Sequence, residues 1–228
     1  MVALFTNIWR TAKTLFLIAE VTPYEQAGTG SSPEKIFLLG DSTGYGTGAG
    51  DGKKSIAGLM GAEFPHYAIT NNSVNGRTIG EALTALKKLP VEPLHKLILL
   101  QIGGNDILQK RPIAQVQTEL TALYVEAKAR AANVIMISSG NVGTAAAFKG
   151  TPDAAVYDTL TRQFRAMFIK TATASEVSYV DLFEEPENDG FAQKPEIYLA
   201  IDGLHPSPSG YALWYQSLEP VLRPILQK

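Results

Sequence analysis

A doubly wound α/β sandwich around a parallel sheet is the fold this sequence predicts, on three observations. From Lys35 onward, short apolar runs alternate with longer helix-like stretches. Two of the runs, LILL within His95–Ile102 and VIMI within Asn133–Ser138, show no polar alternation, as expected of strands covered on both faces. At 228 residues, with 45% hydrophobic and 18% charged residues, the chain suits one globular domain with a substantial core.

The elements follow in order. In MVALFTNIWRTAKTLFLIAE, the residues Leu4, Phe5, Ile8, Trp9, Ala12, Leu15, Phe16 and Ala19 recur at helical spacing, with Asn7, Arg10, Thr11 and Lys13 between them. Residues 1–22 are read as an amphipathic helix, too polar and too short to span a bilayer. Its apolar stripe is expected to dock on the body, on a second subunit or on a membrane surface through residues 1–20. The apolar run after Lys13 is brief and reaches Glu20 without a small-residue cleavage site, which disfavours an export signal. Residues 23–34, rich in Gly, Ser and Pro, read as a linker ahead of a domain spanning 35–228. Strands are predicted at Lys35–Gly40, His66–Asn71, His95–Ile102, Asn133–Ser138 and Val177–Leu182, about five in all. Helices are predicted near 53–63, 77–88, 113–131, 153–174 and 208–227.

Composition excludes several functions. The formal charge is −2 with no Lys/Arg cluster, so the basic footprint that nucleic acid requires is missing. With no cysteine there is no disulfide, no thiolate nucleophile and no cysteine-based metal site. A cysteine-free chain tolerates reducing and oxidising surroundings alike, so the compartment, cytoplasmic or periplasmic, stays open.

Open parallel sheets bind ligands at the carboxyl ends of their strands. Ser42 follows the first predicted strand, Asn75-Gly76 the second, Gly103-Gly104-Asn105-Asp106 the third and Ser139-Gly140-Asn141 the fourth. The first of these loops, GDSTGYGTGAG, allows two readings. Ser42–Thr47 is similar to the flavodoxin loop that wraps the phosphate of FMN, although a P-loop pattern fails because Lys54 stands where its hydroxyl should be. Alternatively the loop presents Ser42 as a nucleophile, which needs a base within hydrogen-bond reach. His66 and His95 fall where strands begin, at the far rim. His205, in Asp202-Gly203-Leu204-His205-Pro206, lies on a loop just before the last helix, and Asp202 could fix its tautomer and orientation. An anion trap could come from the Ser42 and Gly76 backbone N–H groups and the Asn105 side-chain amide.

Gly40-Asp41-Ser42, Gly76, Gly103-Gly104-Asn105-Asp106 and Asp202-Gly203-Leu204-His205-Pro206 stand in the order and approximate spacing of the four blocks of the SGNH hydrolases, also called the GDSL esterase/lipase family. The resemblance covers roughly 35–220. It implies a three-layer α/β/α, flavodoxin-like fold, a nucleophile at Ser42, a base at His205 and an orienting acid at Asp202. It also implies an oxyanion hole from Ser42, Gly76 and Asn105, with no metal or cofactor. The chain departs from the pattern at Thr43, which takes the place of a leucine that packs behind the nucleophile, and at Asn75-Gly76-Arg77-Thr78 in the second block.

The expected activity is hydrolysis of small- to medium-chain carboxylic esters through an acyl-enzyme. O-acyl transfer, carbohydrate deacetylation and, more remotely, flavin binding are the alternatives. Asp41, Asn141 and Val142 are candidate substrate contacts. The segments Asn141–Phe148 and Phe183–Ile201 should border the site, with Ala146, Phe148, Phe191, Tyr198 and Leu199 as apolar surface beside Glu184, Glu185 and Asp189. Without a long insertion to form a lid, a shallow groove is expected.

Overall fold

The computed structural model describes residues 12–31, 33–92 and 94–227. Strands β1 (Lys35–Gly40), β2 (Ala68–Asn71), β3 (His95–Gln101), β4 (Ala131–Ile137) and β5 (Ser178–Val180) form one sheet in the order β2-β1-β3-β4-β5. Every neighbouring pair is parallel. The chain leaves β1 for the edge strand β2 and returns across it to β3. The switch point of the winding therefore lies between β1 and β3, where open α/β sheets place ligands.

Both faces of the sheet are covered, as the unalternated apolar runs require. Phe37, Leu39, Ile98, Leu100 and Met136 point to one face. There they pack beneath α4 (Ile79–Lys87), α6 (Ile113–Lys128) and α7 (Pro152–Ala174). Ile36, Leu38, Leu97, Leu99 and Ile135 point to the other, beneath α3 (Ile56–Glu63) and α10 (Pro208–Leu226). These are the three layers the sequence predicts. Helix α10 continues through Pro220 and Pro224 because Tyr211, Leu218, Leu222 and Leu226 anchor its apolar stripe.

The start of the described chain corrects one expectation. Residues 12–19 are helical (α1), but the stripe Ala12, Leu15, Phe16 and Ala19 faces outward, with Leu15 61% and Phe16 54% exposed. The inward side carries Thr14, Leu17, Ile18 and Val21, of which Leu17 and Val21 are buried. The body is met by the opposite side of α1, where the Thr14 hydroxyl donates to a buried acceptor, so of the expected surfaces for the apolar stripe only the body of its own chain is ruled out. Leu4, Phe5, Ile8 and Trp9 lie outside the described residues. Within 23–34, Gln26 bridges Ile69 of β2 antiparallel, and its amide donates to the carbonyls of Phe64 and Tyr67. That stretch is laid along the sheet edge. Among the described residues no helix is long and apolar enough to cross a membrane.

Candidate active site

The loop after β1 turns at once into the short helix α2 (Ser42–Tyr45). Asp41 caps it, its Oδ1 accepting from the Thr43 N–H at 2.9 Å and the Thr43 hydroxyl at 2.8 Å. Burial pushes the Asp41 carboxyl up from its ordinary value, against the pull of those two hydrogen bonds and of His205. Asp41 borders the cavity described below, but this oxygen is committed to the scaffold rather than to a ligand. Thr43 likewise does not pack behind Ser42 as expected; it borders the cavity and uses its hydroxyl on Asp41.

Ser42 Oγ faces the loop ahead of α10. The His205 Nε2 lies 2.9 Å from it, and the opposite ring nitrogen, Nδ1, lies 2.6 Å from Asp202 Oδ2. The loop is pinned at its base, where Leu199 and Pro206 form an antiparallel bridge and the Ala200 N–H donates to the His205 carbonyl. Asp202 Oδ1 accepts from the Leu204 and His205 N–H groups at 3.0 and 3.1 Å. Burial pushes the Asp202 carboxyl up, yet the His205 imidazole and these backbone donors outweigh it and hold the group at about 2. The acid is thus ionised throughout the working range of a histidine base, and the Nδ1 proton has a fixed acceptor. His66 pairs with Thr29 and His95 stacks on Phe37, both at the opposite rim.

The glycine loop reaches His205 through Gly48. Its φ of +92° lies in the left-handed region, and a Cβ there would overlap the Pro206 carbonyl oxygen. Only glycine allows this approach.

The donors expected of an anion trap border one cavity with Ser42 and His205. Gly76 adopts a φ of +81°, and neither its N–H nor that of Ser42 is committed to an acceptor among the described residues. Asn105 Nδ2 donates to the Arg77 carbonyl at 3.3 Å, which orients the amide and leaves its second hydrogen free. The second and third blocks are tied together below the cavity. Asp106, with a fully buried side chain, accepts from the Ile79 N–H at 3.1 Å and from Arg111 at 2.7 Å. Thr78 and Glu81 close the start of α4 in a capping box.

The cavity has a volume of about 420 Å³, within the range of small-molecule sites. Its wall includes Thr14 and Ile18 of α1, a contribution the expected shallow groove did not include. Leu108, Val142, Ala145, Phe191, Leu199 and Trp214 make the rest largely apolar. Val142, Phe191, Leu199 and Asp189 lie where the sequence places them, whereas Ala146, Phe148, Tyr198, Glu184 and Glu185 do not line it; Phe148 belongs to the core. Asn141 borders it, but its Oδ1 accepts from the Gly143 N–H and its Nδ2 donates to Asp158 at 2.6 Å, which braces the loop on α7. Thr14, Ile18, Leu108, Leu204 and Trp214 are cavity residues that the sequence did not single out. They lie on helices or beside motif residues, where apolar side chains read as core.

The fold and the site together define an α/β enzyme of the ester-cleaving class. The chain matches the GDSL-like lipase/acylhydrolase family over residues 38–213 and belongs to that family. It is 23% identical over 202 residues to the esterase TesA of Pseudomonas aeruginosa PAO1, covering 86% of this chain and 91% of the relative. It is 28% identical over 181 residues to an arylesterase of Vibrio mimicus, covering 77% and 81%. A crystal structure of TesA superimposes with a TM-score of 0.65 at 22% identity, covering 85% of this chain and all of the other. The chain is an ester hydrolase.

Proposed function

We propose that the chain hydrolyses small- to medium-chain carboxylic esters through an acyl-enzyme on Ser42. The observation that carries this reading is the relay in which Ser42 Oγ, His205 and Asp202 are joined by contacts of 2.9 and 2.6 Å. Ser42 Oγ attacks the ester carbonyl while His205 Nε2 takes its proton, and the ionised Asp202 stabilises the imidazolium that results. The negative charge that develops on the carbonyl oxygen is met by the N–H groups of Ser42 and Gly76 and the amide of Asn105. The carbon–oxygen bond to the alcohol then breaks, and His205 returns the proton to the departing oxygen. Water, deprotonated by the same imidazole, attacks the acyl-enzyme and releases the acid and free Ser42.

The apolar walls from Ile18, Leu108, Val142 and Leu204 favour an apolar acyl chain over a charged acyl group. A panel of p-nitrophenyl esters from acetate to dodecanoate tests the proposal. Turnover should be greatest at short to medium chains and vanish in Ser42→Ala. Equal turnover by Ser42→Ala would refute the nucleophile, and a monotonic rise to dodecanoate would refute the chain-length range.

A further inference from the structure

The family match begins at residue 38, so nothing in it assigns a role to α1. Yet α1 reaches the reacting groups directly. The Thr14 hydroxyl donates to Asp202 Oδ2 at 3.0 Å, the same oxygen that receives His205 Nδ1 at 2.6 Å. One turn on, Ile18 lines the cavity with Ser42 and His205. Leu17 and Val21, on the same side of the segment, are buried and hold it against the body.

We infer that Thr14 is a positioning residue for the Asp202–His205 couple, and that α1 is thereby part of the active site. The inference rests on the reading of Ser42, His205 and Asp202 given above. The Asp202 side chain is fully buried, so each of its lone pairs must be met from within the protein. Oδ1 is held by two backbone donors of its own loop. Oδ2 has His205 and Thr14. The two N–H donors on Oδ1 set the plane of the carboxylate, but with His205 as its sole partner Oδ2 would have no second anchor along the line of Nδ1–H. The Thr14 hydroxyl supplies that second anchor, a hydrogen bond to an ionised acceptor at 3.0 Å. The consequence falls on the imidazole: its Nε2 is aimed at Ser42 only while Nδ1 is held. Thr14 borders the cavity but spends its hydroxyl on Asp202, so its loss should weaken chemistry more than binding.

The experiment compares the wild type with Thr14→Val, which keeps shape and removes the donor, and Thr14→Ser, which keeps the donor. Two rates are read: labelling of Ser42 by a fluorophosphonate, and steady-state turnover of p-nitrophenyl butyrate. Thr14→Val should slow labelling and kcat about five- to fifty-fold, with KM within about twofold of the wild type, and Thr14→Ser should recover both rates to within about twofold. Thermal melting checks that the variants fold; should Thr14→Val not fold, Thr14→Ala serves in its place with the same expectation. Labelling of Thr14→Val at the wild-type rate overturns the inference alone. A loss that Thr14→Ser shares to the same degree also overturns it, since the donor would not be what matters. A wild type that is not labelled at Ser42 overturns the reading of the site and the inference with it.

Discussion

Ser42 Oγ and His205 Nε2 meet at 2.9 Å across 163 residues of chain. The meeting depends on the glycine loop and the histidine loop touching at a second point, where Gly48 packs against Pro206 and His205. Gly48→Ala should therefore destabilise the protein by about 1–3 kcal/mol, from positive φ and overlap together. It should also lower kcat by displacing the His205 loop. Urea unfolding and ester turnover check this, and a fully active variant of unchanged stability would contradict it.

Asn105 is oriented by the Arg77 carbonyl with one amide hydrogen to spare. If that hydrogen serves the developing oxyanion, Asn105→Ala should reduce kcat by about 10²–10³-fold with little change in KM. A rise in KM at constant kcat would instead mark Asn105 as a ground-state contact.

The reading of Asp202 as the partner of His205 makes two predictions, one for turnover and one for the pH dependence of stability. Asp202→Asn should lower kcat by about 10⁴-fold, because the amide offers Nδ1–H no charged partner and favours the wrong tautomer. The native carboxyl titrates at about 2 instead of the usual 3.8, so between those values the unfolded chain binds more protons than the folded one. The stabilisation is fully present above about pH 4 and is lost as pH falls through about 2, amounting to at most about 2.5 kcal/mol. The stability gap between wild type and Asp202→Asn should accordingly narrow from pH 5 towards pH 2; a gap constant with pH would argue against the depressed carboxyl.

Asp106 carries the link between the second and third blocks. Burial raises its carboxyl above the ordinary range, with Arg111 and the Ile79 N–H acting in the opposite direction. Asp106→Ala leaves the Arg111 guanidinium, held otherwise by Glu119, without its buried partner and the Ile79 N–H at the start of α4 without its acceptor. The expected loss is about 3 kcal/mol, read by denaturant unfolding. A loss under about 0.5 kcal/mol would mean that Glu119 alone satisfies Arg111.

Much of this was legible in the sequence because it is written in long-period signals. LILL and VIMI identify central parallel strands, and β1 runs over Lys35–Gly40 as predicted. The second strand starts at Ala68 rather than His66, since Pro65 and His66 are taken up in a turn. Ser42, His205, Asp202, Gly76 and Asn105 all border one region, because a parallel sheet delivers the ends of its strands to one rim. What escaped is short or non-periodic. Helices α2, α5 (Gly104–Leu108), α8 (Gly190–Gln193) and α9 (Pro195–Tyr198) span four or five residues, too few for any stripe to show. Asp41 and Asn141 border the cavity as expected, but the turns their side chains also hold gave no sign in the sequence, because a polar side chain at a rim looks the same whether or not it caps a turn. Thr14 was invisible for the converse reason: a hydroxyl on a helix gives no sign of the acceptor it will find 188 residues later.

The proposed machinery is gathered from widely separated parts of the polypeptide, with Thr14 in the first of the described helices and Asp202 and His205 just ahead of α10. If His205 is the base, a nascent chain on the ribosome can complete its sheet and still lack it. Such a chain would stay chemically silent until His205 has emerged and α10 has closed over the sheet, so molecules cut ahead of His205 would be inert towards esters.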